Sequence, residues 1–301
     1  MTSDTNNLSA VDVAIIGAGM AGLSAAVYAR QAGLSVRVFE QHFLPGGLCT
    51  AWKRKGYVFD YCVHYFYGSG RQNAFYEMWS DLGVIADTAF QPMEIYGQAI
   101  GADGQVLTLY TNPEKLEAHL LALAPSDATE IKTLCKAIRR AGSLQIADMG
   151  LSWKNLPRII RAIPALPMLR KWSQITVSEW CARLQSPFLK AAFPPLIGLV
   201  DFPLSGPIIA FALMNNGSIA YPLGGSLPLA RTVEKTARAL GASFEYRACV
   251  QRIQIENGRA VGLELEDGRV QKATHVVAAC DAQAAFSKLL GGRVSNPIYR
   301  D

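Results

Sequence analysis

The sequence has little histidine, no paired cysteines and no long uninterrupted apolar run. Four histidines occur, and none of Cys49, Cys62, Cys135, Cys181, Cys249 and Cys280 stands at zinc-site spacing from another. No metal site is therefore expected. Cysteines scattered over 301 residues read as reduced thiols of a cytosolic protein, not as a disulfide framework. The opening MTSDTNNLSA has neither a basic nor an apolar region of the kind a secretory signal needs. The longest uncharged stretch, 202–230, is interrupted by Pro203, Pro207, Pro222 and Pro228, which suits no membrane-spanning helix. Repeats and low-complexity tracts are missing too.

What is present suits a folded chain of two domains: half of the residues are hydrophobic and 18% are charged. The net charge of +5 is mild and consistent with ordinary solubility. No recognised nucleic-acid module accompanies it, so no nucleic-acid partner is expected.

The informative segment is the first forty residues. Val11–Ile16 (VDVAII) is a short apolar run suited to a buried parallel strand. Gly17-Ala18-Gly19-Met20-Ala21-Gly22 follows as G-x-G-x-x-G, and an alanine-rich, proline-free pattern predicts a helix over 21–32 closed by Gly33. Ser35–Phe39 reads as a second strand, with Glu40 at its tip. In this arrangement Gly17 permits the turn, Gly19 lets backbone approach a pyrophosphate, and Gly22 allows helix and strand to pack closely. The helix N-terminus offers unpaired N–H groups to phosphate. Glu40, 18 residues after Gly22, stands where a carboxylate accepts ribose hydroxyls. An acid there disfavours a 2′-phosphate but does not separate NAD from FAD.

Beyond Glu40, PGGLCTAWKRKGYVFDYCVHYFYG reads as a glycine turn at Gly46-Gly47, a basic loop (Lys53, Arg54, Lys55) and a strand near Tyr57–Phe59. This stretch resembles the second signature of the phytoene dehydrogenase-like flavoproteins. That superfamily includes carotenoid desaturases, carotenoid isomerases and retinol saturases, and it is related to the amine oxidases. Asp60-Tyr61-Cys62-Val63-His64-Tyr65 is most similar to the isomerase and saturase branches. Tyr221-Pro222-Leu223-Gly224-Gly225 resembles the family's Y-P-x-G-G turn, and a helix over 227–240 follows it. Short strands are then predicted at 243–248, 250–256, 260–266, 270–272 and 275–279, with Asn257-Gly258 and Asp267-Gly268 as hairpin turns.

The resemblance implies an α/β fold: a Rossmann-like FAD-binding domain with a parallel sheet and a β-meander, interrupted by a mainly helical substrate domain. The expected division is 1–90 and 221–301 for the FAD-binding domain and 91–220 for the substrate domain. The implied cofactor is FAD. Its implied contacts are Gly17, Ala18, Gly19, Met20, Ala21, Gly22, Glu40, Gln41, Gly46, Gly47, Leu48, His64, Val250, Ala279, Cys280 and Asp281. His64 is the candidate catalytic residue, with a purely structural histidine as the alternative. The family normally ends in another glycine-rich motif, and nothing after Asp281 matches it. The C-terminal part of the family fold is therefore expected to be absent.

Between the two halves, Asn112-Pro113-Glu114 opens a helix to about Leu123, and Ser126 opens another over 127–141. The segment 150–178 carries Lys154, Arg158, Arg161, Arg170 and Lys171 with no acid, interleaved with apolar residues. Two readings stay open for it: docking on an anionic membrane surface, or a lid that buries its apolar face. The apolar stretch 188–214 reads first as core, with a hydrocarbon tunnel as the alternative.

The resulting expectation is an FAD-dependent oxidoreductase acting on a lipophilic polyene or isoprenoid substrate by hydride chemistry at flavin N5. It would be cytoplasmic, with peripheral membrane contact. The alternatives are an amine-oxidase-like flavoenzyme, for which Tyr61, Tyr65, Phe66 and Tyr67 leave room, and a truncated flavin binder without catalysis.

Overall fold

The computed structural model describes residues 7–73, 75–142, 160, 163, 166–198 and 200–292. They fall into two compact units. One comprises 1–64, 80–88 and 222–301, and the other 65–79 and 89–221.

The first unit is built on a six-stranded sheet. Its order is Ser243–Tyr246, Val36–Glu40, Asn7–Ile16, Val270–Ala278, Arg259–Leu265, Val250–Glu256. The first four strands are parallel and the last two complete an antiparallel meander. Parallel strands need both faces covered, which explains the apolar VDVAII run. Ala14 and Ile15 are fully buried there. The helix Met20–Gln31 turns Leu23, Ala26 and Val27 inward and packs beside the helix Ser226–Ala239. Each fully buried Leu, Val or Ile is worth roughly 1.5–3 kcal/mol.

Several boundaries differ from expectation. The first strand starts at Asn7, not Val11, because Asn7 and Leu8 already pair with Val270 and Gln271. The segments expected at 270–272 and 275–279 are one strand, Val270–Ala278: Ala273 pairs with Val11, and Thr274 does not interrupt the ladder. His275 within it is exposed. Lys53 and Arg54 are strand residues, not loop. They belong to Ala51–Arg54, which pairs with Tyr57–Asp60 across a turn of Lys55 and Gly56. Both turn residues have positive φ (49° and 84°), the geometry whose twist matches a hairpin.

The second unit is mainly helical. Helices Pro113–Leu123, Ala128–Ala141, Val177–Arg183, Pro187–Ile197 and Ser205–Asn215 enclose a core that includes Leu120, Ile131, Trp180, Leu189 and Phe211. Asn112 caps the first as expected, its side chain accepting the N–H groups of Glu114 and Lys115. Ser126 does not open the second. A 3₁₀ turn, Pro125–Asp127, precedes it, and the buried Asp127 carboxylate instead accepts the N–H groups of Gln185 and Ser186. The stretch 188–214 is largely core, as its first reading held. Of the basic segment, Lys154, Arg158 and Arg161 lie outside the described residues. Leu166–Ser173 is a helix that buries Met168 and Trp172. Among the described residues, no helix is long and apolar enough to cross a membrane.

A Cβ on Gly22 would fall onto the carbonyl oxygen of Gly17, a backbone atom that cannot swing aside. Gly22→Ala is expected to destabilise the chain by about 1–3 kcal/mol, seen as a lower urea midpoint. An unchanged midpoint would mean that the turn does not depend on this close approach.

Candidate nucleotide site

The site starts where the first strand ends. Gly17 turns the chain at φ 100° and donates its N–H to the Phe39 carbonyl at 2.8 Å. A Cβ there would lie 2.7 Å from the Ala279 carbonyl oxygen. Gly19 is different: nothing lies within 4 Å of where its Cβ would be. No side chain caps the helix that follows. Its first N–H groups and their partial positive charge are left for a ligand.

Glu40 is buried at the tip of the second strand. Its Oε2 accepts the Ala18 N–H at 2.7 Å and its Oε1 the His42 N–H at 2.8 Å. The carboxylate is thus fixed, and each oxygen keeps a further lone pair. The glycine turn comes up beside it. Gly46 donates its N–H to the Ala18 carbonyl at 2.8 Å and bridges to Gly19, and a Cβ on Gly47 would lie 3.3 Å from Gly19 Cα. From the far end of the chain, Asp281 accepts the Ala284 N–H on Oδ1 at 2.8 Å and starts the turn that leads to Lys288.

These pieces surround one cavity of about 420 Å³. Gly17, Gly19, Glu40, Gln41, Gly47 and Leu48 line it from the N-terminal segment. Val250, Ala279, Cys280 and Asp281 line it from the C-terminal one. Ala18, Met20, Ala21, Gly22 and Gly46 are not lining residues; they form the turn and helix start behind the wall. His64 is exposed, outside the cavity, and makes no hydrogen bond among the described residues. Sequence reasoning missed Ala248, Cys249, Ala284, Lys288 and Leu289, which also line it. Lys288 was the findable one: Asp281 is a cap residue, and the turn it starts brings this cation to the cavity.

A second feature went unseen in the sequence. Asp60 joins the hairpin to the turn at Gly224-Gly225. Its Oδ1 accepts the N–H groups of Cys62 (3.0 Å) and Val63 (3.1 Å), and both oxygens accept from Ser226, one from the hydroxyl and one from the N–H. Burial pushes the Asp60 carboxyl up, but the bonds from Ser226, Val63 and Cys62 outweigh it and hold it below the usual carboxylate range.

The fold and this cavity are those of a Rossmann-like domain, and the NAD(P)-binding Rossmann-like domain family matches residues 15–82. The resemblance to the phytoene dehydrogenase-like flavoproteins holds across the chain. A neurosporene-forming phytoene desaturase of Cereibacter sphaeroides is 26% identical over 92% of this chain and 54% of its own length. An inactive all-trans-retinol 13,14-reductase of Danio rerio is 27% identical over 93% and 49%. A 4,4′-diapolycopene oxygenase of a Methylomonas species is 26% identical over 92% and 57%. The chain spans about half the length of these curated relatives. Among solved structures, an oxidoreductase of Methanosarcina mazei aligns at TM-score 0.57 and 18% identity, covering 94% of this chain and 62% of its own. A redesigned putrescine oxidase aligns at 0.58 and 18%, covering 96% and 62%. Both show the same fold.

Because the folded Asp60 carboxyl titrates below its unfolded value, its contribution is present above about pH 4 and is lost as pH falls through the folded value. Asp60→Asn is therefore expected to be less stable than the parent at pH 7, with the gap closing in acid. Urea midpoints across pH 2.5–7 (a range chosen to bracket the carboxylate pKa) measure it. A gap that stays constant would show that charge on Asp60 contributes nothing.

Proposed function

We propose that the protein is an FAD-dependent oxidoreductase acting on a lipophilic polyene or isoprenoid substrate. The observation that carries this reading is the convergence of Gly17, Gly19, Glu40, Gly47 and Ala279–Asp281 on one cavity. Its volume lies within the roughly 300–1,000 Å³ typical of cofactor sites. The residues fit a dinucleotide. The space at Gly19, which a Cβ would fill, leaves room for a pyrophosphate against the helix N-terminus. Glu40 accepts ribose hydroxyls with its remaining lone pairs, and Val250 and Leu48 supply apolar wall. A bound flavin supplies hydride chemistry at its N5, so the protein needs to bind, orient and exclude water rather than supply acid–base groups.

The polyene reading rests on the curated relatives and on a cavity within the second unit. That cavity holds about 230 Å³ and is lined by Tyr65, Tyr67, Tyr96, Phe202 and Phe211 among others. Burial, with Tyr65 and Tyr96 adding to it, pushes the Tyr67 hydroxyl up to about 12, so it stays neutral in this apolar setting. The basic segment that includes Arg170 and Lys171 would bring such a substrate from a lipid surface. The putrescine oxidase likeness keeps an amine-oxidase-like activity as the second reading.

The purified chain, reconstituted with FAD, is expected to show two flavin bands at near-unit stoichiometry and to release FAD on denaturation. A chain that stays colourless and instead retains NAD would overturn the reading. Bleaching of bound flavin by a carotenoid panel but not by polyamines would favour polyene over amine chemistry. Gly19→Ala, which meets open space, should fold as the parent does yet bind FAD at least about tenfold more weakly, the scale of 1.4 kcal/mol. Equal affinity would remove Gly19 from the phosphate cradle.

A further inference from the structure

The hairpin Ala51–Arg54/Tyr57–Asp60 continues past its named ends. Arg54 pairs with Tyr57 and Trp52 with Phe59, and Tyr61 donates its N–H to the Thr50 carbonyl at 3.0 Å. One register step further sets Cys49 opposite Cys62. In an antiparallel ladder hydrogen-bonded pairs alternate with non-hydrogen-bonded ones, whose side chains stand closer. The Tyr61 bond to Thr50 is the last across the two strands, and Cys49 and Cys62 are the residues immediately beyond it, one on each strand.

The side chains agree with the backbone. The Cys62 side chain stands close enough to Cys49 to act on its thiol. Both are free, Cys62 exposed and Cys49 partly buried. Burial first, and Cys62 beside it, push the Cys49 thiol up to about 11. The pair therefore divides into an accessible thiol and a shielded one within reach, the arrangement of an oxidisable cysteine with its resolving partner. Cys135 and Cys181 are buried and have no such access.

We propose that Cys49 and Cys62 are a redox modification site, closed to a disulfide by hydrogen peroxide and reopened by a dithiol. In the first step the Cys62 sulfur attacks one peroxide oxygen. An S–O bond forms, the O–O bond breaks, and water leaves with a proton from the thiol. In the second the Cys49 sulfur attacks the resulting sulfenic acid. The S–S bond forms, the S–O bond breaks, and a second water carries away the Cys49 proton. Two thiols lose two electrons and two protons, and one peroxide becomes two waters. The site does not depend on the flavin reading. It adjoins the glycine turn all the same, because Cys49 donates its N–H to the Gly46 carbonyl and Cys62 donates its N–H to Asp60. The bond would pin the Gly46-Gly47 turn to the Asp60 knot.

The test uses the full chain, reduced, desalted and exposed to a small excess of hydrogen peroxide, then alkylated and digested with trypsin. The arginines and lysines at 37, 53, 54, 55 and 71 place the two cysteines on separate peptides, 38–53 and 56–71. Expected is a linked 38–53/56–71 pair. The denatured thiol count should fall from six to four and return to six with dithiothreitol, and the protein should stay monomeric on a non-reducing gel. Cys49→Ser should abolish the link and send Cys62 on to the sulfinic acid. A different pairing, a link between chains, or Cys62 overoxidised in the parent while Cys49 remains alkylatable would each overturn the proposal. The parent peptide map decides even where a variant does not fold.

Discussion

The parallel pairing of Asn7–Ile16 with Val270–Ala278 is the constraint on which the rest depends. The two strands are separated by some 250 residues of sequence, yet their register runs from Asn7↔Val270 to Ile16↔Ala278. Because both end at the same level, the turns that follow them, Gly17 onward and Ala279 onward, leave the sheet side by side. That is why Ala279 can press on Gly17, and why the cavity draws one wall from each end of the chain. Ligands of open α/β sheets lie beyond the carboxyl ends of parallel strands. Here the pairing creates that edge and closes it with Asp281 and its capped turn.

Part of this was legible in the sequence because it is local. The G-x-G-x-x-G turn, its helix and Glu40 lie within about thirty residues, and each residue type answers a geometric need that can be stated without tertiary knowledge. The meander was legible for the same reason, through Asn257-Gly258 and Asp267-Gly268. The misses share a different cause. Lys55-Gly56 takes the same kind of turn as Asn-Gly, but lysine gives no hint of it, so a hairpin read as a basic loop. Asp127 reads as a helix start, and only the fold reveals that its carboxylate serves Gln185 and Ser186 instead. Asp60 and Ser226 are 166 positions apart. No periodicity or spacing rule could pair them.

The two kinds of glycine at the site separate stability from binding. Gly17, Gly22 and Gly46 are crowded by backbone: a Cβ at each would meet the carbonyls of Ala279, Gly17 and Cys49. They are glycine so that the polypeptide can pass close to itself. Gly19 faces open space. Folding does not require its missing side chain, so that residue type is explained by something outside the chain. A motif that reads as one string is thus two packing constraints, at Gly17 and Gly22, and one open position at Gly19, while Gly46 adds a third constraint from the turn beside it.

Electrostatics narrows what that space can take. Glu40 cannot turn away from a ligand, because Ala18 and His42 hold both of its oxygens. A 2′-phosphate brought to about 4 Å from it would meet repulsion on the order of 4 kcal/mol at an effective dielectric constant near 20. A ribose hydroxyl there donates a charge-assisted hydrogen bond instead. The opposite holds elsewhere in the cavity. The helix start is electropositive and Lys288 lines the same cavity, so a pyrophosphate there would meet favourable charge. An acid for the ribose and an uncapped helix with a lysine for the phosphates form a polarity along the cavity. Such a polarity would favour a dinucleotide with free ribose hydroxyls over its 2′-phosphorylated counterpart.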